Sequence, residues 1–194
     1  MYSQHNEEEI ILRHFGDRVG RFLDIGAHDG KVCSNIYALV ERGWSGVCVE
    51  GCPDSCAGLI RTHGDNPRVT IVNMVVSADH PGMTKFYASP DLLSTTHEGH
   101  RAQWLELGRY HAIYVMAFPL ASILAAFPGP YEFVSIDTEG TSVDIMKTIP
   151  AHSLGVELMC VETGGQDAEI MAYCKSEGLR ITERVGCNTF IGRA

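Results

Sequence analysis

The sequence predicts an α/β fold, a three-layer sandwich in which a mostly parallel sheet carries helices on both faces. Short apolar runs that fit buried strands alternate with segments whose apolar residues recur at helical spacing. Two of the runs end in an acidic residue, and a glycine turn follows the first of them. With 194 residues, 45% of them apolar, the chain fits one domain over 1–194 with a full core.

The first half of the chain predicts three helices and three strands. Helical spacing favours helices at 7–15 and 31–42, and Gly43 ends the second of them. Pro53 suits the first turn of a third helix at 53–63. We expect buried strands at 21–25, 44–49 and 69–76.

The second half predicts a less regular stretch and then a return to alternation. We expect extended segments at 83–87 and 114–118, on either side of an irregular region at 88–111 that is rich in Ser, Thr, His, Gly and aromatic residues. The segment 77–118 is therefore the expected substrate-binding insertion or lid. Helices are predicted at 120–127, 142–148 and 168–177, strands at 133–137 and 157–162, and a closing hairpin at 179–184 and 188–191 around Gly186.

Charge and composition limit the classes of partner. The formal net charge is −9 and the sequence lacks a basic run of five residues, which argues against nucleic-acid binding. No apolar stretch approaches the roughly 18 residues that span a bilayer. The polar segment 1–9 does not resemble a signal peptide, and the seven cysteines do not suggest a disulfide framework. We expect a cytoplasmic protein that does not bind membranes; it could form an oligomer, but the sequence does not show one.

Acidic residues are predicted at the ends of four strands. Asp24, Glu50, Asp137 and Glu162 each close or follow an apolar run. In parallel sheets the carboxyl ends of strands share one edge, where ligands bind at the topological switch point. Four acids at that edge indicate a ligand site there.

The turn after the first strand predicts a cofactor site. Gly26 and Gly30 flank Ala27, His28 and Asp29, and glycines let the backbone approach a ligand. A helix N-terminus near Lys31 would offer free N–H groups to an anionic group. Glu50 follows Gly30 by twenty residues, and its carboxylate can accept hydrogen bonds from both hydroxyls of a ribose.

Two cofactors share this layout. A dinucleotide needs G-x-G-x-x-G to accommodate its pyrophosphate, whereas this chain has G-x-x-x-G. An acid at Asp24 would repel a pyrophosphate but suits the ammonium group of S-adenosylmethionine. The methyl donor is therefore favoured. An NAD-dependent oxidoreductase and a non-catalytic module that only binds a cofactor stay open as alternatives.

Three segments resemble FkbM-type S-adenosylmethionine-dependent methyltransferases over about residues 20–192. They are 24–30 (Asp-Ile-Gly-Ala-His-Asp-Gly), Val49-Glu50, and 135–140 (Ser-Ile-Asp-Thr-Glu-Gly). The stretch 93–96 (Leu-Ser-Thr-Thr) is similar to the family's Ser-rich loop. The family commonly has Asn in place of His28, Lys in place of Ser135 and Glu in place of Ser142. The loss of an acid at Ser142 puts any acid-dependent substrate or metal contact in question.

The resemblance implies a class I methyltransferase (Rossmann-like) fold, seven-stranded with an antiparallel last strand. It also implies O-methylation of a hydroxyl on a sugar or small natural product. The resemblance also implies the cofactor-binding residues. These are Asp24, Gly26 and Gly30 at the methionine part, Ala27 and His28 within the same turn, Glu50 at the ribose, Asn73, Met74 and Val75 near the adenine, and Asp137 beside the transferring methyl.

Proton transfer and metal binding add further candidates. A hydroxyl acceptor needs a base, for which Asp137 is the first choice and the histidines of the irregular segment, His97, His100 and His111, are the second. Asp137, Glu139 and Glu162 could instead bind Mg²⁺. Glu139 could equally interact with the N-terminus of the helix that follows it.

Overall fold

Seven strands form a central sheet in the computed structural model, which describes residues 2–78, 81–89, 93–106 and 109–193. The strand order is β3-β2-β1-β7-β8-β10-β9. In chain order the elements are α1 (Glu7–Phe15), β1 (Arg21–Ile25), α2 (Tyr37–Glu41), β2 (Ser45–Glu50), α3 (Pro53–His63), β3 (Val69–Asn73), β4 (Val75–Ser77), β5 (Gly82–Ala88), α4 (Glu98–Gln103), β6 (His111–Pro119), α5 (Leu120–Ala126), β7 (Phe133–Ile136), α6 (Ser142–Met146), α7 (Ala151–Leu154), β8 (Leu158–Glu162), α8 (Asp167–Glu177), β9 (Leu179–Val185) and β10 (Asn188–Arg193).

The central sheet is parallel except at one strand. β1 pairs in parallel with β2 and β7, and β2–β3 and β7–β8 are parallel as well. Only β10 runs antiparallel, between β8 and β9. The reversal follows from the predicted closing hairpin, whose turn holds Gly186 at φ 55°. This order confirms the predicted seven-stranded fold with an antiparallel last strand.

Apolar layers cover both faces of this sheet. Alternate side chains of β1 point to opposite sides, so Leu23 and Ile25 join one core cluster and Phe22 joins the other. The first cluster includes buried residues of α5, α6 and α8, and the second includes those of α1, α2 and α3. The predicted three-layer arrangement is therefore confirmed. Among the described residues, no helix is long and apolar enough to cross a membrane.

The strand predicted at 69–76 is wrong, because the chain changes sheets within it. β3 stays beside β2 as far as the pair Glu50–Asn73, whereas β4 joins a second, three-stranded sheet of order β4-β6-β5. The Asn73 amide donates to the Glu50 carbonyl at 2.8 Å and so occupies the end of β2. Val75 then packs with Phe86 and Ala117 in a separate small core. The extended segments predicted at 83–87 and 114–118 lie within β5 and β6.

The helix predicted at 31–42 is also wrong in its first half, because α2 begins only at Tyr37. The Asp29 carboxylate accepts hydrogen bonds from the N–H groups of Lys31 and Val32, at 2.9 and 2.8 Å. Cys33 then takes a left-handed φ of 55°, which a helix does not allow. The hydroxyl of Ser34 accepts from the N–H groups of Ile36 and Tyr37, at 3.2 and 3.1 Å, just before the shortened helix.

Candidate functional site

The four strand-end acids come together at one edge of the sheet. Asp24, Glu50, Asp137 and Glu162 lie on or directly after β1, β2, β7 and β8, which are adjacent in the order β2-β1-β7-β8. A cavity of about 340 Å³ opens at this edge, and the first three acids line it. That volume falls within the roughly 300–1,000 Å³ of small-molecule sites.

Gly26 positions the turn that forms the floor of the cavity. Its φ is 88°, and a Cβ at this position would lie 1.7 Å from the carbonyl oxygen of Asp137. The N–H groups of Gly26 and Ala27 both donate to the Val49 carbonyl, at 2.9 and 3.1 Å. Only glycine permits this approach of the β1 turn to the end of β7.

Gly30 has a different place from the one expected. Its carbonyl contacts Nε2 of His63 at 3.0 Å, and a Cβ would collide with Leu59 and His63 of α3. It is not among the residues that line the cavity. The helix N-terminus expected near Lys31 is likewise missing, because Asp29 already accepts the N–H groups there.

Asp24 is a buried carboxylate without a basic partner among the described residues. It is 5% exposed and accepts a hydrogen bond from Ser135, whose hydroxyl also accepts from the Asn35 amide at 3.2 Å. Burial, and secondarily the charge of Glu50, raises the pKa of Asp24 to about 7 despite the Ser135 hydrogen bond. A cationic ligand group would lower the free energy of the ionised form.

Glu50 is held rigidly at the end of β2. Its two carboxylate oxygens accept from the N–H groups of His28, at 2.8 Å, and Cys52, at 2.6 Å. Burial raises the pKa of Glu50, and these backbone hydrogen bonds oppose that rise. A carboxylate oxygen can accept more than one hydrogen bond, so Glu50 remains able to accept from ligand hydroxyls.

The residues expected near an adenine divide into two groups. Met74 and Val75 line the cavity, as do Ala27 and His28 on the glycine turn. Asn73 is not among the lining residues, because its amide is used by the Glu50 carbonyl. Met74 and Val75 thus offer an apolar wall beside the Glu50 carboxylate.

Three further carboxylates lie near one another at this edge of the sheet: Asp137 and Glu139, which line the cavity, and Glu162, which does not. Oδ1 of Asp137 is buried and has no hydrogen-bond partner among the residues that the structure describes. Burial, followed by the charge of Glu162, raises the pKa of Asp137 to about 8. Burial, and then the charges of Glu162 and Asp137, raises the pKa of Glu139 to about 9. The pKa of Glu162 is also raised by burial, and hydrogen bonds from Ser142 and from the N–H groups of Glu139 and Gly140 oppose that rise.

His100 joins this carboxylate group, whereas the other two candidate histidines do not. Nε2 of His100 lies 2.9 Å from a carboxylate oxygen of Glu139. Burial lowers the pKa of His100 and raises that of Glu139, so burial favours the uncharged form of each side chain and a hydrogen bond between them with one shared proton. His97 is exposed and caps α4 by accepting the His100 N–H at 3.0 Å. His111 is exposed at the start of β6 and is not among the lining residues.

The metal ligands expected from the sequence are regrouped. Glu139 and Glu162 come together as predicted, but the third donor within 4.8 Å is His100 and not Asp137. In place of an acid, Ser142 provides a hydroxyl that donates to Glu162 at 3.4 Å and accepts the Thr138 N–H at 2.9 Å.

Several lining residues were missed by the sequence reasoning. Gln4 reaches the cavity from the N-terminal segment, and no motif in the sequence signals this. Cys33, Ser34 and Asn35 line it because the predicted helix is a loop at this point. From the expected insertion 77–118 come Phe86, Leu93, Ser94 and Thr96; residues 79–80, 90–92 and 107–108 of that insertion lie outside the described part.

Comparison with known structures supports the fold. The chain is 10% identical to methyltransferase FkbM from Methylobacillus flagellatus KT, with a TM-score of 0.53 over 90% of this chain and 43% of that one. Against ribosomal protein L11 methylase from Lactobacillus delbrueckii subsp. bulgaricus the identity is 13% and the TM-score 0.51, over 96% of this chain and 76% of that one. Against the mitomycin 7-O-methyltransferase MmcR the identity is 13% and the TM-score 0.48, over 97% of this chain and 53% of that one. The chain thus spans about half the length of two of these structures.

The sequence comparisons give a family. A search of curated proteins found no significant match. Residues 24–176, however, match the methyltransferase FkbM domain, a span that runs from Asp24 at the end of β1 into α8. The matched span includes Asp24 and Glu50, and it also includes the three clustered acids Asp137, Glu139 and Glu162. The chain therefore belongs to the FkbM methyltransferase family.

Proposed function

We propose that this protein transfers a methyl group from S-adenosylmethionine to a hydroxyl of a sugar or small natural product. The observation that carries the proposal is the pair of buried acids on either side of the glycine turn. Asp24 lacks a basic partner among the described residues and suits an ammonium group, while Glu50 is fixed where ribose hydroxyls can donate to it. Bound there, the cofactor supplies an electrophilic methyl group on a sulfonium.

The geometry disfavours a dinucleotide at the same place. A pyrophosphate relies on free N–H groups at a helix N-terminus, but the N–H groups of Lys31 and Val32 are bonded to Asp29. Asp24 would add electrostatic repulsion. The NAD-dependent oxidoreductase is therefore the weaker alternative, and a cofactor-binding module without turnover is tested by the experiment below.

Asp137 is the proposed base for the acceptor hydroxyl. It lines the cavity at the end of β7, and its Oδ1 has no partner among the described residues. Burial raises the pKa of Asp137 to about 8, so the carboxylate form is present mainly at mildly alkaline pH. In that form, a hydroxyl placed at this oxygen could pass its proton to the carboxylate as the methyl group transfers. Methyl transfer is an in-line displacement, so the remaining contribution of the protein is alignment of the acceptor with the methyl group.

The acceptor is proposed to bind against the segment 77–118. Phe86 and Leu93 present apolar surface to the cavity, and Ser94 and Thr96 present hydroxyl groups. This mixture suits a molecule that combines carbon-rich faces with hydroxyls, such as a glycan or an oxygenated natural product. The Tyr87–Thr95 bridge, with N···O distances of 2.8 and 3.1 Å, holds these residues over the site.

We also propose that a divalent cation takes part at the acceptor end. Asp137, Glu139 and Glu162 gather there, and no lysine or arginine forms an ion pair with any of them in the ranges that the structure describes. A cation bound by carboxylates would lower the pKa of an acceptor hydroxyl. Mg²⁺ is the ion that the sequence predicts for a site of carboxylates alone, but the position of His100 beside Glu139 and Glu162 favours a transition-metal ion instead.

Calorimetric titration with three ligands tests the cofactor site. S-adenosylhomocysteine contains the amino-acid, ribose and adenine parts, methylthioadenosine lacks the amino-acid part, and NADH is the competing class. We expect Asp24→Asn to weaken S-adenosylhomocysteine about 10- to 100-fold and to leave methylthioadenosine unchanged, because only the first carries an ammonium. Glu50→Gln should weaken both.

Asp17→Asn is the matched control, since Asp17 is exposed in the loop before β1, at the opposite edge of the sheet. Binding of NADH but of neither sulfur ligand would overturn the proposal. Binding of the sulfur ligands without methyl transfer to any of a panel of sugar and natural-product hydroxyls would favour the non-catalytic module.

A further inference from the structure

We propose that His100, Glu139 and Glu162 form a binding site for a divalent transition-metal ion, which ties α4 to the loop between β7 and α6. One donor atom from each residue lies within 4.8 Å of the other two. Donors around a single ion at about 2.1 Å stand roughly 3 Å apart, and Nε2 of His100 is already 2.9 Å from Glu139. A small contraction of the group would therefore complete three ligands.

The three donors come from elements far apart in the sequence. His100 lies on α4, Glu139 follows β7, and Glu162 ends β8. Each is partly buried and faces the other two, so the cluster is not a chance run of surface acids. Its donors meet only because the segment 93–106 folds back over the carboxyl edge of the sheet.

A second observation is a buried carboxyl oxygen without a partner beside the cluster. Oδ1 of Asp137 is buried and has no hydrogen-bond partner among the described residues, and Asp137 precedes the proposed ligand Glu139 by two residues. A dication held by Glu139 and Glu162 would lie close to this oxygen without using Asp137 as a ligand. Asp137 would then remain free to contact the acceptor.

The donor set identifies the class of metal. Mg²⁺ and Ca²⁺ prefer oxygen ligands, whereas imidazole nitrogen favours ions such as Fe²⁺, Ni²⁺, Cu²⁺ and Zn²⁺. Replacement of the expected Asp137 by His100 changes the site from an all-carboxylate set to one nitrogen and two carboxylates. The ion is therefore inferred to be a transition metal in preference to Mg²⁺.

Neighbouring hydrogen bonds hold Glu162 and the backbone of Glu139, whereas Nδ1 of His100 has no partner among the described residues. The hydroxyl of Ser142 and the N–H groups of Glu139 and Gly140 donate to Glu162. The Thr95 hydroxyl donates to the Glu139 carbonyl at 2.6 Å, and Glu139 has a left-handed φ of 49°. Such outer contacts hold a carboxylate in the direction that coordination needs. The Thr95–Glu139 hydrogen bond and the His100–Glu139 contact already connect this loop to the segment 93–106. A metal ion bound by His100 and the two glutamates would add a third connection.

The metal site does not depend on the proposed methyl donor, but its role in ordering the acceptor segment rests on the proposed function. The test therefore starts without the cofactor. Tag-free protein stripped with a chelator is titrated with Mn²⁺ and separately with Mg²⁺, and free Mn²⁺ is followed by electron paramagnetic resonance. We expect one Mn²⁺ per chain and at least tenfold weaker binding of Mg²⁺.

Pulsed electron paramagnetic resonance of the Mn²⁺-bound protein identifies the nitrogen ligand directly. We expect a nitrogen coupling that disappears in His100→Gln and persists in the exposed control His111→Gln. Glu139→Gln and Glu162→Gln should each weaken Mn²⁺ at least tenfold, whereas Glu98→Gln, an exposed residue of α4, should not. Circular dichroism of each variant checks that it is folded.

The proposal is overturned if chelator-treated wild-type protein binds no Mn²⁺ or Zn²⁺, or if bound Mn²⁺ shows no nitrogen coupling. The first result would leave His100–Glu139 as a proton-sharing pair, or the carboxylates as a site for a cationic amine acceptor. A separate titration with S-adenosylhomocysteine keeps the two proposals apart, because Mn²⁺ binding without cofactor binding would overturn only the proposed function.

Discussion

Gly26 and Asp137 stand so close that the turn after β1 has no room for a side chain. A Cβ at Gly26 would lie 1.7 Å from the Asp137 carbonyl oxygen and 2.7 Å from its carbonyl carbon. The contact joins the proposed cofactor-binding turn, which contains Gly26, to Asp137, the proposed base. The position of the proposed base thus depends on the absence of a side chain two residues after Asp24.

Gly26→Ala is expected to damage both halves at once. Backbone atoms would have to separate, and the left-handed φ of 88° disfavours any residue with a Cβ. We expect a loss of at least about 2 kcal/mol in the free energy of unfolding and loss of S-adenosylhomocysteine binding. Gly164→Ala is the control, because nothing lies within 4 Å of a Cβ there. Chemical denaturation and calorimetry measure the two effects, and equal stability of the two variants would contradict the prediction.

Cofactor binding is expected to weaken as the pH falls below about 7. Asp24 has a pKa of about 7 in the free protein, and an ammonium beside it would lower that value. Binding below pH 7 must therefore release a proton, and the dissociation constant should rise by up to about tenfold for each unit of pH. Calorimetry between pH 5.5 and 7.5, in buffers of different ionisation enthalpy, measures the dissociation constant and the number of protons released on binding.

Two controls separate Asp24 from other titrating groups. Methylthioadenosine lacks the ammonium, so its affinity should not follow this pH dependence. Asp24→Asn should bind S-adenosylhomocysteine weakly at every pH in the range. A dependence that persists unchanged in Asp24→Asn would assign the proton to another residue.

The same carboxyl is expected to destabilise the cofactor-free protein at alkaline pH. The folded pKa of Asp24 is raised from 3.8 to about 7, so the folded state binds more protons than the unfolded state between these values. Stability therefore falls as the pH rises through this window, by up to about 4 kcal/mol. Asp24→Asn should raise the free energy of unfolding at pH 8 and change it little at pH 4. Urea denaturation at both pH values provides the measurement, and a variant less stable than wild type at pH 8 would refute the argument.

The strand-end acids could be predicted from the sequence because a charged residue within or directly after an apolar run is unusual for a buried strand. An apolar run such as 22–25 that contains Asp24 gives a strand and marks the ligand edge at the same time. The loop at 31–36 could not be predicted, since Val32 and Ile36 fit the helical spacing. What decides the conformation is the Asp29 carboxylate, which takes the N–H groups of Lys31 and Val32.

Long-range contacts explain the other differences. Val69 and Val76 are both apolar, and nothing between them shows that the chain changes sheets at Met74. His100 reaches Glu139 only because Thr95 fixes the preceding segment to the Glu139 carbonyl. Spacing within one segment carries no information about such contacts, so the sequence predicts Asp137, an acid at a strand end, as the donor beside Glu139 and Glu162 and not His100.

Asn188→Ala is expected to destabilise the protein through Glu7. Glu7 is 1% exposed, and its carboxylate accepts from the Asn188 amide at 2.9 Å and from the His5 N–H at 2.7 Å. Removal of the amide leaves one buried oxygen without a donor, at a cost of about 1–3 kcal/mol. We expect the melting temperature to fall by several degrees. The double variant Glu7→Leu/Asn188→Leu should be less destabilised than Asn188→Ala, and the reverse order would argue against an unsatisfied carboxylate as the cause.

Asp137→Asn separates catalysis from cofactor binding. The amide keeps the size of the carboxyl but cannot take a proton from an acceptor hydroxyl. We expect methyl transfer to fall by about 10²- to 10⁴-fold, with the affinity for S-adenosylhomocysteine within a few-fold of wild type. The comparison with His100→Gln is decisive for the identity of the base, because His100 lies beside Glu139 and is not among the residues that line the cavity. The base would be His100 and not Asp137 if His100→Gln lost more of the methyl-transfer rate than Asp137→Asn did. That conclusion requires that the two variants bind the cofactor equally well and that the pH profile of the rate does not depend on added metal.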